Sequence, residues 1–175
     1  MSLKYSQIRN TIQTGDLLAW STNSISSLTD IALSAYQKIY STNISHVGIA
    51  VSFGSRVFVA EAIPPVVRLY PLSRKRDFYY IPCNLEQKDS YIDYLLEYIG
   101  EDYSLWDLVK SCAGLSTSTQ SFYCSELAGD FYKYTGLLDS QVYGKFPHTI
   151  VNAVSLAVGK EPQLVSIDGG NLSAV

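Results

Sequence analysis

The chain has 175 residues, of which 47% are hydrophobic and 17% charged, with a formal net charge of −3. This length and composition predict one globular domain over residues 1–175, with a core spanning about 15–160. The net negative charge argues against a nucleic-acid-binding protein, because phosphate recognition requires a basic surface.

No apolar run with a basic flank occurs near the amino terminus, which predicts neither a signal peptide nor a membrane anchor. We therefore expect a cytoplasmic protein without stable membrane insertion, unless a non-Sec route or a phage particle exports it. The three scattered cysteines, Cys83, Cys112 and Cys124, predict free thiols rather than a disulfide framework. No C-x-x-C pair exists, and His46 lies far from His148, so we expect no metal site.

Hydrophobic periodicity predicts an α+β domain in which an antiparallel meander packs against helices. The predicted strands cover residues 15–20, 46–53, 56–62, 66–69, 78–81 and 163–167, and the predicted helices cover 24–40, 87–99, 104–112, 124–134 and 151–157. Asn84 is the expected cap of the helix at 87–99. The basic cluster at 74–76 is interpreted as a solvated turn.

The strands at 46–53 and 56–62 are joined by Gly54-Ser55, which predicts a hairpin with a two-residue loop. That loop places Gly48 opposite Glu61 and His46 diagonally from it on the same face. A four-residue loop would pair His46 with Glu61 directly, whereas a three-residue loop would separate them. Glu61 lies in an apolar strand and needs a charged partner, for which His46 is the nearest candidate. The small Gly48 beside His46 predicts open space for a cleft.

Cys124 begins a predicted helix after a polar Ser/Thr stretch. The positive end of the helix dipole favours a thiolate there, and the free backbone N–H groups can hold an oxyanion. A thiolate, an imidazole and a carboxylate are the groups required for nucleophilic acyl transfer. Cys124, His46 and Glu61 are therefore the candidate triad. The alternatives are an inert buried cysteine, a structural histidine and a glutamate that faces water.

Five segments resemble the NlpC-type branch of papain-like cysteine peptidases. They are Gly15-Asp16-Leu17-Leu18, Ser45-His46-Val47-Gly48-Ile49, Ala60-Glu61-Ala62, Tyr98-Ile99-Gly100-Glu101-Asp102-Tyr103 and Tyr123-Cys124-Ser125-Glu126-Leu127. The histidine strand precedes the cysteine helix, which resembles the circularly permuted group that contains bacterial amidase-like and lecithin:retinol-acyltransferase-like enzymes.

This resemblance implies a papain-like fold and cleavage at an acyl carbon, most often of an amide, without a cofactor or metal. Peptides, peptidoglycan fragments and other amides or acyl compounds are the implied substrates. It also implies that Tyr103 lines the site, where its hydroxyl would hold the oxyanion together with the backbone at Cys124. Three alternatives stay open: an acyltransferase or lipid-acyl hydrolase with the same triad, a noncatalytic binding module, and His148 as the base.

Overall fold

The chain forms an α+β fold in which helices pack against one sheet. A computed structural model describes residues 2–21, 43–103, 123–139 and 146–167. The strands are β1 (Leu3–Lys4), β2 (Leu17–Ser21), β3 (Ile44–Phe53), β4 (Arg56–Ile63), β5 (Val66–Pro71), β6 (Phe78–Ile81) and β7 (Gln163–Ser166). The helices are α1 (Tyr5–Ile8), α2 (Asp89–Glu97), α3 (Cys124–Tyr134) and α4 (Pro147–Val158), and a short 3₁₀ turn covers Leu72–Arg74.

The seven strands of the sheet lie in the order β1-β7-β6-β2-β3-β4-β5. Strands β2 to β5 are consecutive antiparallel neighbours, which confirms the predicted meander as far as β5. The prediction that the strand at 78–81 continues this meander is wrong, because β6 pairs with β2 on the other side of the sheet. The prediction of a purely antiparallel sheet is wrong at the other edge, because β1 pairs in parallel with β7. The two-residue β1 carries too little periodicity to be recognised in the sequence, and its partner lies at the opposite end of the chain.

Strand alternation divides the core into two clusters, one on each face of the sheet. Val47 and Ile49 of β3 belong to the cluster that also contains buried side chains of α3 and α4. Trp20 and Val59 belong to the other cluster, which is closed by α1 and by side chains of β6. Helix α3 packs against β3 and β4, which brings its first residue towards the hairpin.

The predicted helix over 124–134 is confirmed with the same bounds, and Gly136 follows it at a φ of 77°. Helix α2 begins at Asp89, with Lys88 rather than Asn84 at its cap position. Asn84 instead has a φ of 53° in the preceding connection, so the predicted cap is wrong. Helix α4 begins earlier than predicted, because Pro147 is well suited to the first helical turn. The predicted helices at 24–40 and 104–112 lie outside the described residues.

Across the ranges that the structure describes, no helix has both the length and the apolar character needed to cross a membrane.

Candidate active site

The β3–β4 hairpin brings two of the candidate residues together. Phe53 pairs with Arg56 across Gly54 and Ser55, which confirms the two-residue loop and its register. His46 and Glu61 lie on the same face, and His46 Nε2 is 2.8 Å from Glu61 Oε2. Period-two alternation and the loop length were sufficient to predict this contact.

The open space predicted beside His46 is not observed. A Cβ atom on Gly48 would lie 2.5 Å from Val59 Cγ2 and 3.4 Å from Glu61 Cβ, so the glycine permits close packing of β4. The Trp20 ring lies 5.4 Å from the His46 ring, centroid to centroid, and the His46 side chain is only 12% exposed. Gly48 therefore allows Glu61 to pack against the imidazole of His46 and does not leave a cavity there.

Glu61 has three cationic or potentially cationic partners and a side chain with no exposed surface. Lys75 Nζ donates to Oε2 at 2.6 Å, and Arg68 donates through Nε and Nη2 to Oε1, each at 3.1 Å. Burial alone would raise the pKa of Glu61, but hydrogen bonds and charges from His46 and Lys75 outweigh it and hold the pKa at about 2. The carboxylate is thus ionised at neutral pH.

Arg68 and Lys75 are site residues that sequence reasoning missed. The interpretation of the basic cluster as a solvated turn is wrong for Lys75, whose side chain is 14% exposed and whose Nζ lies 4.9 Å from the Trp20 ring centroid. Arg74 and Arg76 of the same cluster are exposed. The pairing of Arg68 with Glu61 follows from the two-residue β4–β5 connection and could have been read from the sequence. No local signal indicates Lys75.

Cys124 is the first residue of α3, and in the opening turn the N–H groups of Glu126 and Leu127 donate to Tyr123 O at 3.0 and 3.1 Å. The Cys124 side chain lies close enough to His46 to act on the charge of the imidazole. Burial lowers the pKa of His46, but the charge and hydrogen bond of Cys124, followed by those of Glu61, raise it to about 9.

The other cysteine in the described ranges is buried like Cys124 but has different partners. Cys83 is buried, and its Sγ lies 3.6 Å from Ile81 O and 3.7 Å from Tyr132 Oη. Burial, as the largest cause, raises the pKa of Cys83 to about 12. A neutral, enclosed thiol of this kind is a poor nucleophile. Cys112 lies outside the described residues.

His148, the alternative base, lies in the first turn of α4 and stacks on Phe146 with 5.9 Å between ring centroids. Burial lowers the pKa of His148. His46 is the imidazole that contacts both Cys124 and Glu61.

The Gly-Asp segment that precedes β2 has a structural role. Asp16 is buried and accepts hydrogen bonds from Tyr80 Oη at 2.9 Å, from the Cys83 N–H at 2.8 Å and from the Gln13 N–H at 2.8 Å. These bonds join the start of β2 to the end of β6 and therefore help to hold the sheet that supports the site.

Tyr103 lies beside the β4–β5 connection, where its N–H donates to Pro65 O at 2.8 Å. Its ring packs against the core cluster that contains Cys124. The role of its hydroxyl as an oxyanion donor stays a prediction.

If the hydroxyl holds the oxyanion, Tyr103→Phe should lower kcat on an ester or amide substrate by about ten- to a thousandfold with little change in thermal stability. Tyr79→Phe, on β6, is the matched control. Equal turnover in the wild type and Tyr103→Phe would identify Tyr103 as a packing residue.

The structure is similar to a crystal structure described as metalloprotein yiiX from Escherichia coli O157:H7, DUF1105, with a TM-score of 0.55 and 19% sequence identity. The match covers 89% of this chain and 88% of that chain. No family model matches the sequence, and no curated protein matches it. Within the described part of this chain, no group of three or more His, Cys, Asp or Glu side chains is arranged to hold a metal ion.

Proposed function

We propose that this protein is a cysteine hydrolase of the circularly permuted, papain-like NlpC type, and that it cleaves an amide or peptide bond. The observation that carries the proposal is the position of His46, whose ring contacts Glu61 on one side and the helix-initial Cys124 on the other. This arrangement matches the requirements for a nucleophile, a base and a group that orients the base.

In the proposed reaction, the Cys124 thiolate attacks the acyl carbon and the His46 imidazolium donates its proton to the leaving nitrogen. The carbon–nitrogen bond breaks and a thioester remains on Cys124. Water then attacks the thioester, His46 accepts a proton from it, and cleavage of the carbon–sulfur bond releases the acid. Backbone N–H groups in the first turn of α3 are suited to stabilise the oxyanion in both steps.

The proposal is tested by trapping the acyl-enzyme. Acetylation by p-nitrophenyl acetate should modify Cys124, detected by acid quenching and peptide mass spectrometry, because only this cysteine is expected to be paired with a base. Cys124→Ala should abolish the trapped acetyl group, whereas Cys83→Ala should not change it. Acetylation of Cys83 at the same rate as Cys124 would contradict the proposal.

Product analysis in the same reaction separates the hydrolase from the acyltransferase, since both use the same thioester. The hydrolase releases acetate when amines are added at millimolar concentration. Transfer to the amine in preference to water would instead favour an acyltransferase.

A further inference from the structure

The carboxylate of Glu61 is shared among three groups from three parts of the chain. Lys75 and His46 both bind Oε2, at 2.6 and 2.8 Å, and Arg68 binds Oε1 through two nitrogen atoms. Glu61 carries one negative charge, and Lys75 and Arg68 carry one positive charge each. The cluster therefore has an excess positive charge even when His46 is neutral. A carboxylate neutralised in this way stabilises a neighbouring imidazolium less than a free carboxylate would.

We propose that Lys75 and Arg68 are positioning residues that hold Glu61 against His46 and neutralise the charge of Glu61. His46 is then protonated while Cys124 is a thiolate and neutral once Cys124 is acylated. This inference deepens the proposed function and rests on it. Glu61 then orients the imidazole through a hydrogen bond, while the thiolate supplies the charge that keeps the imidazole protonated.

The consequence is a change of role for His46 between the two half-reactions. Before acylation, the Cys124 thiolate lies beside the ring and favours the imidazolium that must protonate the leaving nitrogen. Once the thioester has formed and that proton has been transferred, no anion other than the neutralised Glu61 faces the ring among the described contacts. His46 therefore stays neutral and can accept a proton from the attacking water.

The groups around Lys75 support this assignment. Its ammonium lies 4.9 Å from the Trp20 ring centroid and 5.5 Å from that of Tyr70, which hold it over Glu61. Burial lowers the pKa of Lys75, the charge of Glu61 opposes this, and Arg68 adds to the lowering. Arg68 is the more accessible of the two, with a 40% exposed side chain whose Cζ lies 4.6 Å from the Tyr70 ring centroid.

The test is an NMR titration of ¹³C-labelled histidine before and after Cys124 is blocked by iodoacetamide, with His46 assigned by comparison with His148→Gln. Blocking Cys124 in the wild type should lower the pKa of His46 by about two units or more, because the thiolate is lost. In Lys75→Gln, which keeps a donor but removes the charge, the pKa of His46 in the blocked protein should lie about one unit above the blocked wild type. Arg68→Gln should shift it in the same direction.

Lys75→Arg should reproduce the wild type, because it keeps the charge. Lys88→Gln removes the same charge at an exposed position paired with Glu86 and should leave the titration unchanged. At a pH below the pKa of His46, a rise of one unit in that pKa also reduces the neutral fraction of His46 about tenfold. Deacylation of the Lys75→Gln acetyl-enzyme should therefore slow by about that factor when both proteins are measured at the same pH.

Different results would overturn the proposed function and this inference. A His46 pKa that does not respond to blocking Cys124 in the wild type would overturn the proposed function. A wild-type response with no rise in either Lys75→Gln or Arg68→Gln would overturn this inference alone.

Discussion

His46→Ala should reduce the rate at which iodoacetamide alkylates Cys124 at about pH 6 by at least about tenfold, because the imidazolium that stabilises the thiolate is lost. Burial lowers the pKa of His46, but Cys124 and then Glu61 raise it to about 9, so the ring is charged at this pH in the wild type. Turnover should fall further, on the order of a thousandfold or more, because the proton donor and acceptor are both removed. Mass-spectrometric mapping of the alkylated cysteine and steady-state kinetics measure the two effects.

His148→Ala is the matched control for this prediction, since it removes the other imidazole of the chain. It should leave the preference for Cys124 over Cys83 and Cys112 in place. If that preference survived in His46→Ala, the Cys–His pair would be excluded, and a noncatalytic binding module would become the better interpretation.

Glu61→Gln should lower the free energy of unfolding by about 3–5 kcal/mol at neutral pH, because it removes the buried carboxylate that compensates Lys75 and Arg68. The loss is a large fraction of the stability of an ordinary domain. Chemical denaturation of the wild type and the variant in urea measures it directly.

The change in folding stability at acidic pH is a second measure of how much the Glu61 carboxylate stabilises the protein. Burial tends to raise the pKa of Glu61, yet His46 and Lys75 hold it at about 2, below its ordinary value of 4.5. A lowered folded-state pKa means that the stabilisation is complete above about pH 4.5 and is lost as the pH falls towards 2. The wild type should lose this contribution in that window, and Glu61→Gln should show a correspondingly smaller decrease.

The double variant Glu61→Gln with Lys75→Gln is the control for uncompensated charge. It should be more stable than Glu61→Gln alone, because one of the cations left without a carboxylate is removed. A double variant that loses the sum of the two single effects would show that Glu61 and Lys75 contribute independently.

The sequence alone was sufficient to predict the contact between His46 and Glu61. Both residues belong to one hairpin, so the two-residue loop and the alternation of side chains determine which face each occupies. The position of Cys124 at the start of α3 was equally accessible, because the change from a polar stretch to helical periodicity is local. These features depend on short-range geometry, so they can be predicted without knowledge of the rest of the fold.

Only the tertiary structure decided which groups surround that pair. Lys75 follows a 3₁₀ turn, and neither periodicity nor turn chemistry indicates that it folds back onto Glu61 and Trp20. The parallel pairing of β1 with β7 joins opposite ends of the chain, and the approach of Cys124 to His46 depends on how α3 packs on the sheet. Such long-range contacts are selected by burial and charge compensation over the whole core, which no local pattern encodes.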